Sequence, residues 1–556
     1  QFSDAFAVMY RIGIDQYSLA AETKVNRGGP RDIDGRFESG NALNRISDHV
    51  LNGLYNFQLS DDLSLDGVIG TNFRKEDYDY KFLRSTNQFV FNLFNHGNFI
   101  DNASDSEIRT ENTIGAYATA TLGYKNYLYV NFQGRNDWTS TLESENRSVF
   151  YPSASLSIIP TEAIESLRGN DIINYLKLRV GYGTSAGYPN PYQTRNTLAT
   201  ATNVFVNNGT LNTNSVSNRL GNPNLRAEKH KEVEIGLEAR FLQNRIGIDL
   251  SLYNKKSDDL IIDLDLDPST GFTNTTVNAA EITNRGIELG INITPVRGKF
   301  TWQADLNLTH NEGTVDAIAE GVNQVLIDGY TNLGNFAIPG EPFNAIQGTS
   351  FVRGADGTSL LVDAQGSYIT SPGIQVIGDP NPDYTANWIN TFSWNGLSFG
   401  FQFSYQKGGD IYSSTVQAML ARGNTVDTDV DRFLPLVLPG VKEDGTPNDI
   451  QGYIGDLFFN AYFGAREGGI FDGTNVRLRE VSLSYDLPAS LFANTPFGSA
   501  SLTIQGENLW YSAPNFPVGT NFDPEVLSLS VGNGRGFDFR TGPTAKKIGA
   551  TLRFTF

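Results

Sequence analysis

Residues 231–254 read KEVEIGLEARFLQNRIGIDLSLYN, and residues 284–311 read NRGIELGINITPVRGKFTWQADLNLTHN. In the first, Val233, Ile235, Leu237, Ala239 and Phe241 alternate with Glu232, Glu234, Gly236, Glu238 and Arg240. After a break at 242–245, Ile246, Ile248, Leu250 and Leu252 alternate with Gly247, Asp249, Ser251 and Tyr253. In the second, Ile287, Leu289, Ile291 and Ile293 alternate with Glu288, Gly290, Asn292 and Thr294; beyond the turn at 295–299, Phe300, Trp302, Ala304, Leu306 and Leu308 resume the pattern. A period of two places the apolar side chains of each segment on one face of a strand. Each strand runs about ten residues, the length a tilted strand needs to cross a bilayer. Short connections alternate with long ones, as periplasmic turns alternate with outer loops. A soluble sandwich accounts for the alternation, but not for long strands, lopsided loops and a charged second face together. The expected fold is all-β: a transmembrane antiparallel β-barrel with long extracellular loops.

Composition agrees. The chain has 556 residues and 39% hydrophobic content, and its mean hydropathy is −0.29. No apolar run reaches the roughly 18 residues of a spanning helix. The 36 Phe and 24 Tyr suit strands and interfacial girdles. A net charge of −19 speaks against nucleic acid as a partner, because phosphate binding needs a basic face. Without cysteine there is no disulfide, thiolate metal site or Cys nucleophile. His49, His96, His230 and His310 are too scattered to suggest a metal centre.

Working outward, 49–59 and 63–73 form a hairpin around Ser60-Asp61-Asp62, and 114–122 and 128–132 another. Residues 154–158 and 176–182 are strands, and Pro160 to Asn174 between them suggests a helical turn capped by Thr161. Asn395-Gly396 is the strongest hairpin signal, and Phe399, Phe401 and Phe403 give its second strand an apolar face. Residues 476–487, 500–510 and 547–556 close the chain. The total is roughly sixteen strands, with long loops at 184–228, 313–382 and 422–474. Val8 to Tyr17 is already strand-like, so the sequence reads as if it opens inside a protein.

An ordered set of motifs spans most of the chain: Arg135-Asn136-Asp137, Tyr151-Pro152-Ser153-Ala154-Ser155, Leu176 to Gly183, Gly221-Asn222-Pro223-Asn224-Leu225 with Glu228, and Asn284 to Leu289. Gly378 to Tyr384, Gly408-Gly409-Asp410-Ile411-Tyr412, Pro439-Gly440-Val441 with Asp444 to Asn448, Asn475 to Tyr485, Gly506 to Trp510 and Phe522-Asp523-Pro524-Glu525 complete it. The set resembles the SusC/RagA family of TonB-linked outer-membrane transporters. The terminal strand Ile548 to Phe556 is similar to the assembly signal of outer-membrane barrels. The resemblance implies a barrel of about 22 strands. Residues 1–556 would supply most of it, lacking the N-terminal plug, the TonB box and the first strands. It also implies import of an oligosaccharide or peptide across the outer membrane of a Gram-negative bacterium. A SusD-like lipoprotein would cap the outside, TonB–ExbB–ExbD would act through the missing N-terminal part, and lipid and lipopolysaccharide would surround the wall. A passive porin, adhesin or secretion scaffold on a similar barrel is the alternative.

Candidate sites follow. Glu232, Glu234, Glu238, Arg240 and Glu288 are expected on the lumen side, as a salt-bridge lattice or a substrate path. Tyr188, Tyr192, Phe205, Tyr330, Phe336 and Tyr453 are loop aromatics that could serve as sugar platforms. Asp263, Asp265 and Asp267, and likewise Asp427, Asp429 and Asp431, have spacings that could hold Ca²⁺, but neither run has the Gly and Glu an EF-type loop places later. They read better as solvated acid, and no cofactor is expected. Gly183-Thr184-Ser185-Ala186-Gly187 matches a nucleophile elbow, but Tyr188-Pro189-Asn190-Pro191 cannot start the helix that chemistry needs. No catalytic set is expected.

Overall fold

The computed structural model describes the chain apart from residues 1, 2, 4, 31, 207–209, 494, 527 and 530–532; the side chains of 199–213 and 456 also lie outside the described residues. Two compact units are present. The first holds 1–157, 181–231 and 257–279, and the second 158–180, 232–256 and 280–556. Among the described residues, sixteen antiparallel strands carry the fold.

The first unit is built on β1 (Phe6–Val25), β2 (Arg36–Ser60), β3 (Leu63–Gln88), β4 (Phe99–Tyr124), β5 (Leu128–Thr139) and β6 (Ser148–Ile158). Neighbours from β1 to β5 pair antiparallel in chain order. The expected hairpin around Ser60 exists, but its strands run far past 49 and 73. Sequence periodicity missed the extension because the apolar set stops. On one face of β3, Leu65, Ile69 and Phe73 give way to Lys75, Asp77, Asp79 and Lys81. Ile69 is 64% exposed, as a lipid-facing residue is when no lipid is counted, and the charged residues suit water. By this pattern the lipid-facing part of β3 would end near Phe73.

Strands β7 (Ile173–Gly187), β8 (Glu228–Phe241), β9 (Ile246–Asp265) and β10 (Asn274–Val296) follow in the chain. The second unit continues with β11 (Phe300–Ala317), β12 (Pro382–Trp394), β13 (Leu397–Gly408), β14 (Asn475–Asp486), β15 (Ser499–Ser512) and β16 (Lys547–Thr555). Each pairs with the next, from β10 to β16. Asn395 and Gly396 take φ of 48° and 81°, the left-handed pair a two-residue type I′ turn requires. The register aligns Trp302, Phe392 and Phe399 on one face, and Leu306, Trp388 and Phe403 beside them. Rings meet along this face, with Trp302 and Phe392 at 5.8 Å and Trp388 and Phe401 at 5.6 Å. The opposite face carries Gln303, Asp305, Asn307, Asn387, Thr391 and Gln402. β1 pairs with β2 and β16 with β15, and both end strands are exposed almost throughout.

The long connections of the second unit fold. Val325–Tyr330, Leu333–Ala337, Ala345–Phe351 and Thr370–Gly378 make a four-stranded sheet. A short helix α1 (Pro160–Ala163) precedes β7, and α2 (Ser414–Ala421) and α3 (Ile454–Phe463) lie in the later connection. Phe351, Val362, Tyr368, Leu438 and Leu457 form a buried core, and Ile411, Val416, Leu420, Phe516 and Phe522 form another. We call this folded assembly the cap. Thr161 does not cap α1; that position is Ile159, and the buried Thr161 hydroxyl instead accepts the Leu176 N–H at 3.2 Å. Pro160, not Thr161, takes the first helical position, where its missing N–H costs nothing.

Candidate functional site

On β8 the alternation inverts ordinary burial. Val233 and Ile235 are 47% and 58% exposed, while Glu232 and Glu234 are half-buried. Glu232, Glu234 and Glu288 share a hollow of about 480 Å³ with Ser251, Tyr253, Lys255, Asn284 and Asn311. Glu238 and Arg240 line a second, about 250 Å³, with Asp249, Asn292 and Asp305. The five polar residues singled out in the sequence therefore fall into two hollows of one wall. Part of this set is a lattice. Arg179 binds Glu234 at 3.3 Å, Asp249 at 2.9 Å and the Ser251 hydroxyl at 2.6 Å, and Arg240 binds Glu238 at 2.8 Å while lying over the Tyr175 ring. The larger hollow gathers three carboxylates, a lysine, a phenol and two amides, a set made for hydrogen bonding to a polar ligand.

The motifs of the first unit converge. Arg135 pairs with Asp137 at 2.7 Å, the Tyr151 hydroxyl donates to the same carboxylate, and Tyr188 reaches it at 3.3 Å. Leu225, fully buried, packs with Leu142, Val149, Tyr151 and Tyr188. Burial and the Asp137 charge push the Tyr188 phenol well above its ordinary range, so it stays a donor. Close by in sequence, Arg195 and Thr194 grip Glu143 and hold its carboxyl down to about 2.

A second knot ties strand β14 to the connection that follows β15. Arg477 and Asp523 are buried at 0% and 2% exposure and form an ion pair. Glu525 joins Arg477 at 3.3 Å and pairs with Arg479, whose Nε donates to Ser404 at 2.8 Å. The Tyr511 ring lies 5.0 Å from the Arg477 guanidinium. Burial raises the Asp523 carboxyl, but hydrogen bonds from Thr544 and Arg477 outweigh it and hold it below the usual range. Nothing local in the sequence links the two motifs; the arginine between Val476 and Leu478 is the one signal of a buried charge there. Asp410 likewise ties Gly378–Tyr384 to Gly408–Tyr412 by accepting the Asp379 N–H at 2.9 Å.

The loop aromatics do not form one platform. Tyr188 is committed to its knot, and Phe336 is buried in the four-stranded sheet at 3% exposure, out of a ligand's reach. Tyr192 is 60% exposed, Tyr330 stands edge-on to Phe539, and Tyr453 is 86% exposed just before α3. Phe205 lies outside the described residues. Asp263 pairs with Arg219, Asp265 is exposed on β9 and Asp267 accepts the Ser269 N–H. Asp427, Asp429 and Asp431 are exposed. Among the described residues no group of three or more His, Asp or Glu is arranged to hold a metal ion. Ser185 sits inside β7 rather than at a strand-to-helix elbow.

Residues 9–431 match the family model described as TonB dependent receptor-like, beta-barrel. The chain belongs to this TonB-dependent receptor family. It is 28% identical over 510 residues to TonB-dependent receptor P26 of Formosa agariphila, covering 84% of the chain and 49% of that relative. It is 29% identical over 226 residues to TonB-dependent receptor SusC of Bacteroides thetaiotaomicron, covering 38% of the chain and 22% of that relative. The solved structure of the RagAB peptide transporter superposes with a TM-score of 0.77 at 19% identity, covering 100% of the chain and 60% of the solved one. The chain spans about half the length of the first curated relatives it matches. Its fold is the transmembrane β-barrel of that family, similar to the chains of SusC and RagAB.

In this TonB-dependent receptor the cap, despite its own cores, leaves an apolar patch open. Phe433 is 96% exposed, Leu434 62% and Phe459 61%. Leu436 and Gly452 exchange both backbone hydrogen bonds at 3.0 Å, which brings Tyr453 beside the 433–434 segment. The Arg432 guanidinium over the Phe458 ring ties α3 to the same place.

Proposed function

We propose that the chain is the barrel of a TonB-dependent importer that takes oligosaccharides or peptides across the outer membrane of a Gram-negative bacterium. The observation that carries this is the inverted wall: apolar residues face out from β8, and hydrogen-bonding hollows line its other side. In this reading the whole protein would also carry a plug and a TonB-binding segment. A SusD-like lipoprotein is the partner for the open patch on the cap, because exposed aromatic patches of this kind mark interaction sites.

The test is uptake of labelled oligosaccharides and peptides by cells carrying the full-length gene, with and without TonB. Loss of uptake on TonB removal supports import. Flux that ignores TonB would make the barrel a passive porin, and no uptake at all would favour an adhesin or scaffold.

A further inference from the structure

The extension of β3 past Phe73 carries three rings on the face away from Ile69 and Phe73: Tyr78, Tyr80 and Phe82. Their residues alternate with Asp79 and Lys81, which continue the outward face. The ring centroids are 6.4 Å and 6.3 Å apart, with planes within 15° and 19° of one another. Gly40 and Ala42 lie opposite Phe82 and Tyr80 on β2. A Cβ at Gly40 would stand 3.1 Å from the Tyr80 hydroxyl, so the ring leans over this bare backbone and any larger residue there would lift it. All three residues are half-buried, so the row keeps some exposed ring surface.

This row has no lipid to serve, and the same face below it is Asn72, Arg74 and Glu76. The Arg109 guanidinium lies 4.9 Å from the Tyr78 ring and that of Arg84 5.7 Å from the Phe82 ring. The arginines nearest the row are paired. Arg84 binds Glu38 at 2.6 Å, Arg74 binds Glu76 at 3.0 Å, Arg109 meets Glu107 at 3.5 Å, and Asn44 donates to Glu76. Asp105, opposite Phe82, and Glu111, opposite Glu76, add two carboxylates to the same face, so the surroundings are net acidic and disfavour an anionic ligand. An extended peptide is held most simply by adding to a free strand edge. Here β3 has none, since Tyr78 is paired with Asn44 on one side and Arg109 on the other. What remains is ring faces flanked by amide, carboxylate and guanidinium. That set suits the C–H faces and hydroxyls of sugars.

Resting on the import reading above, we propose that Tyr78, Tyr80 and Phe82 form a stacking platform for a linear, uncharged oligosaccharide. The platform is tested on the purified full-length transporter, against an array of linear neutral oligosaccharides and a set of neutral peptides. At least one oligosaccharide should bind, and Tyr80→Leu should weaken it about tenfold while Tyr80→Trp restores it. Asp79→Ala, on the outward face, should leave it unchanged. Heat-modifiable mobility reports assembly, and Tyr78→Leu replaces Tyr80→Leu if the latter does not assemble. Oligosaccharide binding indifferent to both leucine variants overturns the platform and leaves the import reading standing. Binding of peptides alone overturns it too. TonB-independent behaviour of the wild type, with no probe bound, removes the platform and the import reading together.

Discussion

The wall and the cap of the second unit solve opposite problems. Strands β10 to β13 show apolar faces outward, with rings from Trp302 to Phe403 on the surface and amides behind them. The cap buries Phe351, Leu457 and Val416, as a water-soluble domain does, and is pinned to wall strand β14 by the buried pair of Arg477 and Asp523. The wall is held by continuous backbone ladders that no single side chain supplies. The cap is held by a few side chains that join distant stretches, such as Arg477 to Asp523 and Arg353 to Glu467. The same substitution should therefore act differently in the two regions.

The largest contrast is expected at Arg477. Arg477→Ala strands Asp523 in a site with 2% exposure, and breaking one partner of a buried pair costs about 3–5 kcal/mol. The expected outcome is proteolytic cleavage in the cap segments 409–474 and 513–546 while the heat-modifiable barrel persists. Loss of both together would make wall and cap one cooperative structure.

On the wall, Ile291→Arg should cost about 2–4 kcal/mol near the bilayer midplane. Asn292→Arg, on the hollow-lining face beside Asp305, should cost less. Folding titrations into lipid vesicles measure both. Equal costs would erase the distinction between the faces.

The wall was legible in the sequence because period-two patterning needs no knowledge of partners. Ile287 to Ile293 announces its own face, and Asn395-Gly396 its own turn. Legibility failed where the apolar set stopped. From Lys75 to Lys81 one face of β3 is charged, so the pattern marks the strand only to Phe73 and does not reach its upper half and aromatic row. The cap was legible only as loops too rich in Phe351, Val362 and Leu438 to be disordered. Its pairings span wide sequence separations, which no local pattern encodes. Glu232 and Glu288 could be placed on one side of the wall, but their meeting in one hollow depends on strand register.

Acid should separate the regions more gently. Burial raises Glu467 and Asp538, but hydrogen bonds from Arg353 to Glu467, and from Thr415, Ser413 and Thr541 to Asp538, prevail and hold both below the usual carboxylate range. With Asp523 they make three cap carboxylates with depressed values. A depressed value adds stability that is complete above the unfolded pKa, about 4 for these groups, and is lost as pH falls through the folded one. Lowering pH from 5 toward 2 should loosen the cap first. Near-ultraviolet dichroism, which follows packed aromatics such as Phe351 and Tyr368, should fade before the far-ultraviolet strand signal. Simultaneous loss would show that the wall depends on carboxylates as well.

The smallest stability effect is expected where the cap behaves least like a soluble domain. Phe433 and Tyr453 are 96% and 86% exposed, so neither contributes appreciable burial to the cap. Replacing either by Ser should change stability by no more than about 0.5 kcal/mol. A ring left in water on an otherwise well-packed assembly has its use in a second molecule, and aromatic anchors supply much of an interface's energy. Phe433→Ser together with Tyr453→Ser should leave the barrel and the cap core intact and reduce the lipoprotein recovered on gentle detergent extraction from the native host. Recovery of the same stoichiometric lipoprotein from wild type and double variant would place the partner elsewhere on the cap. A fall in cap stability would show that the patch already has its partner within the chain.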